Sequence, residues 1–175
     1  MQDHYRWEFW IDVGGTFTDC FAHTPEGHLL RHKLLSSGIT PGRIGSDSDP
    51  RRIFDPARCA DPAEFWVGYR IRIQEKVSGP FAERKIQRFD PIRGELYLDS
   101  PLPFQPKPGV RYELLAEEEA PVSAIRYLTG RTLQEPLPPS DIRLGTTRGT
   151  NALLTRTGAK TALVITQGFA DVLLV

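Results

Sequence analysis

The sequence predicts a mixed α/β fold: an antiparallel three-strand meander that β-α-β units continue on the same sheet, interrupted by a small antiparallel β module. Three features of the chain lead there. Residues 8–35 hold three runs of β formers separated by short turns. Residues 65–116 hold four more runs, one of them strictly alternating in polarity. Residues 117–167 then switch to helix, strand, helix, strand.

The meander comes first. "EFWIDV" (8–13), "TFTDCFA" (16–22) and "HLLRHKLL" (28–35) are split by "GG" and "TPEG", and turns this short join antiparallel neighbours. Side chains alternate across a strand, so Phe9, Ile11 and Val13 share one face and Trp10 and Asp12 the other. From Ser36 to about Glu64 the chain is crowded with Gly, Pro, Ser and Asp and has no period, which reads as loop. β character returns in "FWVGYRIRIQEKV", "RKIQRFDP", "GELYLDSPLP" and "VRYELLA", read together as a barrel or rolled sheet.

"EEEAPVSAIRYLTG" (117–130) reads as a helix. Pro121 suits its first turn, the glutamates complement its positive end and Gly130 stops it. "DIRLGTT" (141–147) reads as a strand and "RGTNALLTRTG" (148–158) as a helix ended by Gly158. "KTALVITQ" (160–167) reads as a continuous apolar strand buried on both faces, and "GFADVLLV" begins one more helix. With the middle module set aside, this order is the ribonuclease-H-like arrangement, the half-unit of actin-like ATPases. The expected organisation is a first part of the lobe at 1–37, a loop plus inserted β module at 38–116, and the lobe's continuation at 117–175.

Composition narrows the function. Twenty-two basic and 22 acidic side chains leave a formal charge of zero, which argues against nucleic acid and against an anionic membrane surface. No apolar run reaches the length of about eighteen residues that a membrane span needs. "MQDHYRWEFW" lacks the apolar core of a secretory signal. Cys20 and Cys59 form neither a CxxC pair nor a disulfide framework, so a reduced, cytoplasmic protein is expected. The last residues, "TALVITQGFADVLLV", are apolar and uncapped, as in a piece of something larger.

The candidate chemistry lies in "IDVGGTFTD" (11–19). A Gly14-Gly15 turn permits positive φ and lets backbone N–H groups approach an anion. Thr16 and Thr18, two apart, point to one side on a strand and have hydroxyls to donate to phosphate oxygens. Asp12, just before the turn, is placed to hold a hydrated Mg²⁺ or to orient a water. The alternative is an ordinary Gly-Gly hairpin with exposed polar residues. No Walker frame and no GxGxxG occur.

A second block, "GTTRGTNALL", puts Thr146, Thr147, Arg148, Gly149, Thr150 and Asn151 at a strand end and helix start. Backbone N–H groups and the positive helix end meet there, which suits an anionic or polar ligand. Helix capping by Thr147 or Thr150 is the plainer reading.

"IDVGGTFTD" followed by "RLGTTRGTNALLTRTGAKTALVITQGFADVL" resembles the N-terminal region of the hydantoinase A / 5-oxoprolinase family. The resemblance implies an actin-like ATPase fold and ATP-dependent opening of a cyclic amide, a hydantoin or 5-oxoproline, through phosphorylation of the lactam carbonyl oxygen and attack by water. It implies ATP and Mg²⁺, with Asp12 as the catalytic, metal- or water-holding carboxylate. Gly14, Gly15, Thr16 and Thr18 would be the phosphate hairpin. Asp19 and the block from Thr146 to Asn151 would be a further substrate or phosphate site. Some actin-like ATPases carry a lysine where Asp19 stands. The expected partners are the cyclic amide and either the remainder of the chain or a second hydantoinase-type subunit. The second lobe of the clamp lies outside these 175 residues, so the piece alone is expected not to turn over.

Two other classes compete. An actin-like sugar or small-molecule kinase shares the hairpin. A binding or regulatory module would act through the β insert, whose Arg70, Arg72, Lys76, Arg84, Lys85 and Arg88 alternate with apolar residues as in an oligonucleotide-binding barrel. Interspersed acids favour a solvated sheet face instead.

Overall fold

The computed structural model describes residues 6–74 and 79–169. Its first sheet holds β1 (Trp7–Val13), β2 (Phe17–His23), β3 (Leu29–Leu35) and β10 (Ser140–Thr146) in the order β10-β1-β2-β3. The meander is antiparallel, while β10 joins β1 in parallel, from Trp7 opposite Ser140 to Val13 opposite Thr146. Alternation sets the faces. Phe9, Ile11 and Val13 are buried with Cys20 and Ala22 against Ala124 and Ile125 of helix α1 (Ala120–Thr129). Burial pushes the Cys20 thiol up to about 11, the mark of a packing cysteine rather than a nucleophile.

Helix α1 has Pro121 in its first turn and ends at Gly130, which takes the left-handed conformation at φ 65°. Of the glutamates ahead of it, Glu118 binds the Arg126 guanidinium instead of serving the helix end, and Glu119 makes no side-chain cap.

A second, six-stranded antiparallel sheet is drawn entirely from the chain between β3 and α1. It comprises β4 (Thr40–Arg43), β5 (Arg52–Phe54), β6 (Arg70–Gln74), β7 (Phe81–Asp90), β8 (Glu95–Leu98) and β9 (Arg111–Leu115), in the order β4-β9-β6-β7-β8-β5. Its ends curl together, because Gly45 N, just past β4, donates to the carbonyl of Phe54 in β5 at 2.7 Å. The inside is filled by Ile53, Ile71, Ile73, Leu96, Tyr112 and Leu114. The basic side chains on the outside meet local partners: Arg70 pairs with Glu83, Arg72 with Glu113, and Arg88 stacks on Tyr97. Lys76 lies outside the described residues.

Three sequence expectations need correction. The stretch 36–64 is not all loop, since it supplies β4, β5 and a 3-10 turn at Pro56–Arg58. Pro41 sits inside β4, which a sheet tolerates at an edge where its missing N–H faces outward. The helix after β10, α2 (Arg148–Thr155), ends at a left-handed Arg156 rather than at Gly158. The strand expected at 160–167 is not formed. A strand buried on both faces needs a layer on each side. Among the described residues β10 has none: Ile142 and Leu144 stay 52% and 53% exposed, and Val164 is 93% exposed. Part of the helix expected from Gly168 falls on residues 170–175, outside the described residues. Among the described residues no helix is long and apolar enough to cross a membrane.

Candidate functional site

Because β1 and β10 run parallel in register, both end at the same level, Val13 beside Thr146. Chains leaving the carboxyl ends of neighbouring parallel strands open a crevice that ligands commonly use. Here the loop of Gly14, Gly15 and Thr16 leaves β1 and helix α2 leaves β10. The Val13 carbonyl joins them, accepting from Thr146 Oγ1 at 3.1 Å and Thr147 N at 3.3 Å.

The loop is shaped by its own backbone. Gly14 N donates to Phe17 O at 2.9 Å, Ser36 N donates to Thr16 O at 2.9 Å, and Ser36 Oγ donates to Gly14 O at 2.9 Å. The Gly14 and Thr16 carbonyls are thus tied down. The Gly15 and Thr16 N–H groups meet no hydrogen-bond partner among the described residues. Neither glycine adopts positive φ; what each is needed for is space. A Cβ on Gly14 would lie 2.9 Å from Phe17 O, and one on Gly15 3.0 Å from Asn151 Nδ2.

Thr16 and Thr18 part company. Thr16 lies in the turn and is exposed, whereas Thr18 belongs to β2 and is fully buried, its Oγ1 2.9 Å from Ser36 Oγ. Thr18 therefore braces the turn through Ser36.

Asp12 stands on the open face, opposite Asp19 on β2 and Gly145 on β10. It borders a shallow groove of about 460 Å³ with Trp10, Phe21, Arg143 and Gly145. No side chain among the described residues bonds its carboxylate. Two carboxylates directly across a ladder repel, and the structure relieves this at Asp19. Arg31 Nη2 and Lys33 Nζ donate to its oxygens at 3.0 and 2.6 Å, and these bonds hold its pKa below the ordinary value, outweighing partial desolvation. Lys33 and Ser36 are the residues that motif reading missed. Counting outward from the "TPEG" turn would have found Lys33, because His23 opposite Leu29 places Asp19 opposite Lys33. Ser36 follows the last strand residue and carries no motif.

The second block completes the crevice. Thr147 is the N-cap of α2 but makes no side-chain cap bond; its Oγ1 instead accepts from Asn151 Nδ2 at 3.4 Å. Gly149 and Thr150 lie exposed in the first turn, and a Cβ on Gly149 would touch nothing. The helix start is thus left open, with its partial positive charge beside the free N–H groups of the hairpin. Besides the Val13 carbonyl, Asn151 is where the two motifs approach each other, at Gly15. Arg148 opens the helix.

Residues 104–175 match the family model of the hydantoinase/oxoprolinase N-terminal region. The chain is 40% identical over 169 residues, 94% of its length, to 5-oxoprolinase 1 of Arabidopsis thaliana, and 33% identical over 167 residues, 95% of its length, to 5-oxoprolinase of Dictyostelium discoideum. A stretch of 63 residues, 31% of the chain, is 43% identical to an uncharacterized protein of Schizosaccharomyces pombe. The chain spans only 5–8% of the length of these relatives. No solved structure matches it. With the family model lying across β9, α1, β10 and α2, and the oxoprolinase likeness running along nearly the whole chain, the protein belongs to the hydantoinase/oxoprolinase family, in its N-terminal region.

Proposed function

We propose that this chain forms the phosphate-receiving part of an ATP-dependent cyclic-amide hydrolase, acting on 5-oxoproline or a hydantoin. One observation carries the reading: the partnerless N–H groups of Gly15 and Thr16 and the uncapped start of α2 converge on one crevice at the ends of two parallel strands. Such a crevice suits an oxyanion. The strand order β10-β1-β2-β3 supports a ribonuclease-H-like lobe of the actin-like ATPase kind. In this reading residues 1–37 and 117–175 form the lobe and 38–116 an insert.

The residues divide the work. Gly14 and Gly15 keep the turn narrow enough for phosphate oxygens to reach backbone donors. The exposed Thr16 hydroxyl adds a donor, and Thr18 holds the turn in place through Ser36. Asp12 fits a hydrated Mg²⁺, being an exposed carboxylate with no ion pair among the described residues. Asp12 would hold a Mg²⁺ there through water, and the ion would supply charge neutralisation for the phosphates. Thr147, Gly149, Thr150 and Asn151 receive a further phosphate or the amide substrate at the helix start. An amide carbonyl is a poor electrophile, so transfer of the terminal phosphoryl group of ATP to its oxygen, with release of ADP, prepares the carbon for water; inorganic phosphate then leaves, the ring C–N bond opens and its nitrogen takes up a proton.

The remaining walls of the clamp come from the rest of a longer chain or from a hydantoinase-type subunit. Calorimetry with Mg·ATP is expected to show binding weaker than micromolar for this chain alone. In the intact enzyme, Asp12→Ala is expected to abolish ATP-dependent ring opening without unfolding. Retained activity would remove Asp12 from the chemistry, and ring opening that needs no ATP would overturn the reading.

A further inference from the structure

The register of the curled sheet sets two arginines against each other. β4 lies antiparallel to β9 with Arg43 directly opposite Arg111, and both are exposed. Like charges directly across a ladder repel. Where the same sheet sets Arg70 opposite Lys85, Glu83 and Glu117 take up the Arg70 charge. No carboxylate does so for the Arg43 or Arg111 guanidinium among the described residues, and Glu113, next on the same face of β9, is held by Arg72. Arg43 Nη1 donates to the Gly109 carbonyl at 3.1 Å, while the Arg111 side chain has no partner among the described residues.

A cavity of about 730 Å³ is lined by both arginines, and its size falls in the range of small-molecule sites. Pro41, Pro56 and Ala57 give it apolar surface. Its other charges cancel. Asp55, 2% exposed, accepts from the Tyr112 hydroxyl, Arg43 N and Ala57 N, and Arg58 lies 3.8 Å from it. Arg58 is in turn shared with Asp61 at 3.3 Å. The lining therefore keeps the charges of Arg43 and Arg111 as a surplus. A guanidinium fork matches the oxygens of a phosphate or a carboxylate. Two forks rising from directly opposed positions serve one group more readily than two separated ones. A single carboxylate would offset one of them, whereas a phosphate monoester brings nearly two charges on one centre. The apolar surface beside the pair suits the uncharged body of such a molecule.

We propose that the cavity between β4, β9 and the turn at Pro56–Arg58 is a binding site for a small phosphate monoester, with Arg43 and Arg111 holding its dianion. It is built entirely from the chain between β3 and α1 and shares no residue with the crevice at Gly15.

The test uses the 175-residue chain and two probes of similar shape and different charge: phenyl phosphate, a dianion near neutral pH, and phenyl sulfate, a monoanion. Amide NMR titrations are expected to show phenyl phosphate shifting resonances at Gly42, Gly45 and Gly109, with phenyl sulfate at least about threefold weaker there. Arg43→Gln and Arg111→Gln should each weaken phenyl phosphate at these residues at least about fivefold. The melting temperature of the free chain should hold or rise, because each substitution removes one of two facing like charges. Arginines serving only the fold would instead lower it and leave binding alone. Shifts confined to Gly15 and Thr16 would put phosphate in the crevice alone and overturn the proposal. So would equal binding of phenyl sulfate, the absence of any shift at Gly42, Gly45 and Gly109, or variants that bind as the parent does.

Discussion

Asn151 Nδ2 lies 3.0 Å from the point where a Gly15 Cβ would stand, so the helix after β10 closes directly over the turn after β1. Gly15 and Asn151 stand 136 positions apart in the chain, and the side chain that makes this approach is the flexible partner of the pair.

The two glycines therefore separate under substitution. Gly14→Ala drives a Cβ against the Phe17 carbonyl, which is backbone and fixed by the hairpin. A loss of about 1–2 kcal/mol is expected in urea denaturation. Gly15→Ala meets only the end of an amide side chain and should cost under about 0.5 kcal/mol, yet it narrows the approach to the free N–H groups. In the intact enzyme its ATP-dependent turnover should fall while its melting temperature hardly moves.

Ser36 and Thr18 form a coupled pair. Ser36→Ala leaves the buried Thr18 hydroxyl without its partner and frees the Gly14 carbonyl, at a cost of about 1–3 kcal/mol. Adding Thr18→Val removes the stranded hydroxyl, so the double variant should lose less than the sum of the singles. A double-mutant cycle by denaturant titration measures the coupling; strict additivity would mean the hydroxyls do not brace the turn together.

The His32 imidazole makes stability depend on pH in an accessible range. Burial lowers its pKa below the ordinary 6.5, and Arg58 adds to this while Asp61 opposes it. The unfolded chain then takes up this proton more readily than the folded one between the lowered value and 6.5. Stability is accordingly full above 6.5 and falls as the pH drops below it. His32→Phe keeps the stack on Tyr127 and removes the titration. Melting curves from neutral to mildly acid pH should therefore fall more steeply for the parent than for the variant.

Tyr112 is the buried tie inside the curled sheet. Its hydroxyl donates to Asp55 Oδ2 at 2.6 Å, and burial raises its pKa far above the ordinary range, so it stays a donor. Tyr112→Phe removes a hydrogen bond to a charged acceptor and is expected to destabilise by about 1.5–3 kcal/mol, measured by thermal melting of the chain.

Local signals were legible in the sequence wherever period and turn chemistry act over a few residues. The meander, the alternating "YRIRIQ" strand and the Pro121-to-Gly130 helix all follow from such signals. β4 escaped notice because "TPGR" has no apolar alternation; it is a strand because Gly42 lets the Tyr112 ring pack against its backbone. The continuous apolar run at 160–167 misled for the opposite reason, since hydrophobicity shows what a segment would bury and not whether a surface stands ready to receive it. In the crevice, the glycines and Asp12 were visible as motifs. Ser36, Lys33 and the burial of Thr18 were not, because each depends on the register of the β2–β3 pair.

The carbonyl of Val13 has one further implication. By accepting from both Thr146 and Thr147 it sets the spacing between the two loops with peptide atoms and a single hydroxyl. A gauge built this way hardly registers changes at Gly149 or Thr150, whose side positions face open space. Substitution there can retune what the crevice prefers while its width stays the same, so specificity is free to drift on a frame that does not.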